Sequence, residues 1–130
     1  MITILPIKNK IREGQILQTV HGAEADAKIL LMCDGQDELG YVVIDMKSSV
    51  IRMLKMEVFG CADLSKLNEQ NRMCADSMVR ASASYGATVG AYQIESQIVG
   101  LEHYLHSVGF IESGSRFLSP LSNFVKISKF

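Results

Sequence analysis

Apolar and polar positions recur along this chain on two periods, and the changes between them mark the elements. In residues 2–7, Ile2, Ile4 and Pro6 alternate with Thr3, Leu5 and Ile7, which predicts a first strand apolar on both faces. Residues 9–20 carry Ile11, Ile16, Leu17 and Val20 at roughly helical spacing, interrupted by Gly14, and predict one short helix. A polar stretch, 21–26, precedes the compact apolar run 27–33, suited to a buried strand. Asp34-Gly35 then signals a two-residue hairpin into a third strand, 38–46. Lys47-Ser48-Ser49 forms a polar turn before the fourth.

That fourth strand, 51–59, changes phase. Ile51 and Met53 alternate with Arg52, after which Leu54, Met56 and Val58 alternate with Lys55 and Glu57. A parity slip of one residue implies a β-bulge near Met53–Leu54. The other reading is a strand buried on both faces, with its charges near the ends. Downstream, Asp63 is a plausible N-cap. Leu64, Leu67, Cys74, Met78, Ala81 and Tyr85 recur at three- and four-residue steps toward Gly86, which reads as the C-terminal cap. This is one long helix, or a short turn followed by a second helix from about Asn71. Residues 88–95 are β-like. Ser96 then caps a helix with an inner face of Ile98, Leu101, Leu105 and Val108, ended by Gly109. Residues 110–118 and 123–129 read as two last strands joined across Pro120. The order β-α-β-β-β-α-β-α-β-β predicts a mixed sheet with helices on its faces.

Composition narrows the picture. The chain has 130 residues, 48% of them apolar, enough for one core, so residues 1–130 are expected to form one domain. A net charge of −1 with interspersed signs argues against a nucleic-acid footprint or a membrane-surface patch. No apolar run has the length of a membrane span, and the N-terminus lacks a secretory pattern, so a cytoplasmic protein is expected. Cys33, Cys61 and Cys74 are too scattered for a disulfide framework, and no metal-ligand spacing is present. His103 and His106 lie three apart on the predicted helix; a solvated face is the ordinary reading of that pair. Cys61 and Cys74 read as small core residues, since no base accompanies them. The methionines Met46, Met53, Met56 and Met78 read as core filler.

Leu39-Gly40-Tyr41-Val42-Val43-Ile44, the bulge-prone strand 51–59, and the helix ending Leu101-Glu102-His103-Tyr104-Leu105-His106-Ser107-Val108-Gly109-Phe110 together resemble the GNAT (Gcn5-related N-acetyltransferase) superfamily. The resemblance covers roughly residues 27 to 118. It implies an α/β (α+β) acyl-CoA N-acyltransferase-like fold, with a mixed, mainly antiparallel sheet of six to seven strands and helices on both faces. It also implies a V-shaped opening between the fourth and fifth strands that takes acetyl-CoA. Backbone groups of Met56, Glu57 and Val58 would line the acyl-pantetheine part, and Gln70, Arg72, Cys74 and Ala75 would meet the pyrophosphate at a helix start. Glu57 and Glu95 are candidate bases for a small-molecule or peptide amine, and Tyr104 the candidate acid. The plainer readings are an exposed strand carboxylate for Glu57, a solvent-exposed acid at a turn for Glu95, a rim tyrosine for Tyr104, and an exposed helix face for Gln70 and Arg72.

The chain departs from the family pattern in three places. Of its two closest matches to the glycine-containing phosphate loop, 70–75 has Met73 where a glycine is usual, and 57–62 keeps Gly60 but places an acid at Glu57. The usual acid tyrosine position falls on Leu105, one residue after Tyr104. Only about 19 residues separate the first two strands, where the family fits two helices, so the acceptor pocket is expected to be open. Asp76, if beside the cofactor cleft, opposes a pyrophosphate. Three functions follow: acyl transfer to an amine; a catalytically inactive GNAT-fold ligand-binding or protein-interaction module; or an unrelated α/β sensing domain with no splay between the fourth and fifth strands. A homodimer through edge pairing of 110–118 and 123–129 is a further expectation.

Overall fold

A computed structural model of the chain describes residues 1–125. Its elements are β1 (Ile2–Pro6), α1 (Lys10–Leu17), β2 (Lys28–Asp34), β3 (Asp37–Lys47), β4 (Val50–Val58), α2 (Glu69–Thr88), β5 (Gln93–Ser96), α3 (Glu102–Ser107), β6 (Ile111–Ser113), β7 (Arg116–Pro120) and a 3-10 turn, Leu121–Asn123. The strands form one sheet in the order β1-β2-β3-β4-β5-β7-β6. Every neighbouring pair is antiparallel except β4 and β5, which run parallel with α2 in the connection between them.

Helices cover both faces. On one, α2 and α3 pack over Leu30, Met32, Val42, Ile44, Ile51, Met53, Met56 and Val58. On the other, the single helix α1 meets a small cluster of Ile7, Ile29, Tyr41 and Val43 through its partly buried Ile16 and Leu17. The β-bulge is present. Val43 pairs with Lys55 but Ile44 pairs with Met53, so Leu54 is the extra residue. It turns to the α1 face, while Ile51, Met53, Met56 and Val58 stay on the α2 face despite their change of parity. Gly40 faces Val58 in the same ladder. A Cβ there would run into the Glu57 carbonyl oxygen, so the register of β3 on β4 requires glycine at this point.

Several boundaries differ from expectation. α1 accommodates Gly14 and is capped by Asn9, whose Oδ1 accepts from the Arg12 N–H at 3.1 Å. Asp63 does not cap a helix: α2 starts six residues later behind Asn68, whose Oδ1 accepts from the Asn71 N–H at 2.8 Å. Gly86 lies inside α2 at a position that requires glycine, since a Cβ there would sit 2.8 Å from Ile51 Cγ2, and the chain turns at Gly90 (φ 91°) instead. Ser96 closes β5 rather than opening a helix, and α3 starts only at Glu102. The segment 110–118 is broken by Gly114 (φ 66°) into a hairpin, β6 and β7, of which only β6 lies at the sheet edge. Asn123 belongs to the 3-10 turn, and the strand expected over 123–129 otherwise falls mainly outside the described residues.

Candidate functional site

The parallel pair β4–β5 is short. It ends at Met53 opposite Ser96, closed by the Gln97 N–H donating to the Met53 carbonyl at 3.0 Å. β4 continues to Val58, while the segment after β5 turns away, the Ile98 N–H donating to Ser96 Oγ at 3.2 Å. The result is an opening between the strands, with a cavity of about 400 Å³ bordered by Lys55–Val58, Asp63, Leu64, Val99 and Gly100.

The ladder fixes what β4 presents to this opening. The Phe59 N–H donates to the Leu39 carbonyl at 3.0 Å. Alternation then makes Tyr41–Glu57 and Val43–Lys55 the bonded pairs, so the main-chain groups of Met56 and Val58 point away from β3 and into the gap. The Val58 carbonyl accepts from the Cys61 N–H at 3.0 Å. The N–H groups of Met56 and Val58 have no hydrogen-bond partner among the described residues. Unpaired strand amides beside a cavity can hold the carbonyl of a ligand.

Glu57 is exposed and stands at this opening on the α1 face, opposite Tyr41. Burial, together with the Glu57 carboxylate, pushes the Tyr41 phenol well above its ordinary range. Beside it, Lys55 Nζ donates to Thr19 Oγ1 at 2.9 Å. Glu95 is placed elsewhere. It pairs in register with Arg52, five positions before Glu57, a separation of about 15 Å along a strand. At 4% exposure it is neither a surface acid nor at the opening: its carboxylate accepts from Gln97 Nε2 at 2.7 Å and Arg116 Nη1 at 3.0 Å. Next to it, Arg52 donates to both oxygens of the buried Asp45, at 2.7 and 2.5 Å, and to the Gly22 carbonyl at 3.1 Å. Asp45 also accepts from the Glu24 N–H at 2.9 Å, so this pair pins residues 22–24 onto the sheet.

Tyr104 is buried in the helical layer, and its hydroxyl donates to Asp76 Oδ1 on α2 at 2.5 Å. Burial first, and that bond second, hold the phenol protonated well past its usual range. Leu105, at the usual acid position, is fully buried. Arg72 donates to Ser107 Oγ at 2.9 Å and stacks on the Tyr104 ring at 5.5 Å, joining α2 to α3. Gln70 and Arg72 border a shallow depression at the start of α2, with Glu69 and Asp76. Cys74 and Ala75 lie in the core, where burial raises the Cys74 thiol. The structure therefore gathers Met56, Glu57 and Val58 at one opening, and none of Glu95, Tyr104, Cys74 and Ala75 borders that cavity.

Residues the sequence reading missed complete the opening. Asp63 Oδ1 accepts from the Ser65 N–H at 3.0 Å and Ser65 Oγ at 2.7 Å, and these bonds hold the carboxyl below its ordinary range. The Asp-x-Ser spacing is a turn signature that would have marked it. Gly100 (φ 95°) brings its backbone against Leu64; no local signal distinguishes it from other glycines. Among the described residues no group of three or more His, Cys, Asp or Glu is placed to hold a metal, and no helix is long and apolar enough to cross a membrane.

No protein-family model matches the chain, and no curated protein does. Solved structures do. The ribosomal-protein-S18-alanine N-acetyltransferase of Escherichia coli matches with a TM-score of 0.65 at 10% identity, covering 100% of both chains. An acetyltransferase of the GNAT family from Staphylococcus aureus Mu50 gives 0.60 at 11% identity, over 93% of this chain and 99% of that one. The chain has the GNAT fold. A Bacillus subtilis acetyltransferase in complex with CoA matches this GNAT-fold chain at 0.59 and 10% identity, over 92% and 97%. At such identities the likeness is one of fold. The gap between β4 and β5 also removes the reading of an unrelated sensing domain that lacks it.

Proposed function

We propose that the protein binds an acyl thioester, acetyl-CoA being the reference donor, in the β4–β5 opening and transfers its acyl group to an amine. The observation that carries this reading is the pair of unpartnered N–H groups, Met56 and Val58, beside a cavity open to the exposed Glu57. In this reading the thioester carbonyl accepts from those amides, which stabilise the oxyanion formed when the amine adds. Glu57 takes the proton released by the amine, directly or through water. The C–S bond then breaks, and the thiolate takes a proton from solvent, since the Tyr104 hydroxyl is directed to Asp76. The shortened α1 region leaves the acceptor side open, which suits a small or peptide amine.

The placement of Tyr104 favours a second reading, a GNAT-fold module that binds without transferring. Thiol release from millimolar acetyl-CoA, with and without a panel of amines, separates the two. Amine-dependent release that falls about 100-fold in Glu57→Gln is the result expected of transfer with Glu57 as base. Saturable thioester binding without release supports the module. Absence of thioester binding by the folded protein removes both readings of the opening.

A further inference from the structure

We infer that the acceptor is an amine carrying its own carboxylate, an α-amino acid in the simplest case, held between Glu57 and Lys55. This rests on the reading of the β4–β5 opening as an acyl-transfer site and names the class of amine that the site takes. Lys55 and Glu57 both border the cavity. In the β3–β4 ladder they sit opposite Val43 and Tyr41, so both project from the α1 face. Two positions separate them on β4, about 7 Å along the strand.

Three other cations on this face already hold carboxylates: Arg12 with Glu38, Arg52 with Asp45, and Arg116 with Glu95. Among the described residues Lys55 has no carboxylate partner and Glu57 no basic one, and the two do not pair with each other. Lys55 is nevertheless held in place. Its Nζ donates to Thr19 Oγ1 at 2.9 Å and lies 5.9 Å from the centre of the Tyr41 ring. The Thr19 hydroxyl donates its own proton to the Ile16 carbonyl at 2.6 Å, so its oxygen accepts from the ammonium. One of the three Lys55 donors is thus engaged by a neutral group, and the charge is oriented without being offset. A fixed cation beside an unpaired carboxylate matches a ligand with the same two charges in reverse. The ligand's ammonium docks on Glu57, which then takes its proton beside the Met56 and Val58 amides. Its carboxylate docks on Lys55, which places the amine and no other group at the reacting end.

Thiol release from acetyl-CoA by the full chain, with each common amino acid set beside its amide, tests this. The amide keeps the amine and leaves it easier to deprotonate, but lacks the negative charge. For the best acceptor, kcat/KM is expected to be at least about tenfold higher for the acid than for its amide. Lys55→Met, at a half-buried position, is expected to erase that difference by raising KM for the acid. Amides accepted as readily as acids overturn the inference and leave acyl transfer standing. A preference for acids that survives in Lys55→Met overturns the part given to Lys55. Release with no member of either set overturns the inference together with the transfer it rests on.

Discussion

On its α2 face the sheet is covered by a continuous apolar layer, in which Met78, Val79 and Ala83 of α2 and Leu105 of α3 are fully buried. On its α1 face the buried apolar residues are, among the described residues, Ile7 after β1 and Ile29, Tyr41 and Val43 on the strands. Beyond a fringe of partly buried apolar residues, this face also buries two carboxylates, Asp45 with Arg52 and Glu95 with Arg116. The faces differ because α2 has 20 residues to lay across the sheet and α1 has eight. Apolar packing stabilises in proportion to area and is indifferent to direction. Buried ion pairs add less, but they fix position and leave room. The closed face therefore supports the fold, and the open one exposes Glu57 beside the gap in the sheet.

Substitutions on the two faces are expected to differ in the size of their effect on stability. Met78→Ala opens a hole beneath α2 and is expected to lose about 4 kcal/mol in urea unfolding. A loss below about 1 kcal/mol would show that this face is loosely packed. Asp45→Ala on the other face leaves Arg52 and the Glu24 N–H without their partner and is expected to lose about 3 kcal/mol. Hydrogen exchange should then rise selectively across residues 22–24; unchanged exchange there would deny the pinning role.

Tyr104→Phe removes one hydroxyl and is expected to lose about 1 kcal/mol at neutral pH, because Asp76 keeps Arg80. Its larger signature lies in alkali. The unfolded phenol titrates near 10, whereas the folded one holds its proton to higher pH, as does that of Tyr41. Between the two values the folded state carries more protons, so stability is full below pH 10 and falls as pH rises above it. Tyr104→Phe should flatten that fall. An unchanged slope would mean that Tyr104 titrates in the native state as it does unfolded.

Much of this arrangement was legible along the chain. The parity slip from Ile51 and Met53 to Met56 and Val58 marked the bulge, because a two-residue period leaves no other way to keep four apolar side chains on one face. Asp34-Gly35 marked its hairpin, although the turn residues prove to be Gly35 and Gln36. Helix limits were less visible. Asp63 and Asn68 are both good caps in isolation, and Asp63 instead closes a turn with Ser65. Gly86 reads as a terminator, yet it lies in the helix, and it is glycine because Ile51, 35 positions away in the chain, leaves no space for a Cβ. Of the residues bordering the opening, Met56, Glu57 and Val58 were placed there by the family resemblance, whereas Asp63, Val99 and Gly100 were not.

Local pattern thus determined which stretches become strands and helices and which residues face a core, since those follow from periods of two and 3.6. The partners of polar groups were decided by the tertiary structure alone. Glu95 was readable as an acid at a strand end. That it is buried depends on Arg116, which reaches it only because β7 lies beside β5 in the sheet. Tyr104 was readable as an amphipathic helix residue, and the packing of α3 on α2 turned its hydroxyl to Asp76. The fate of a charge or a hydroxyl is set by whatever the fold brings within about 3 Å of it, and sequence separation carries no record of that distance.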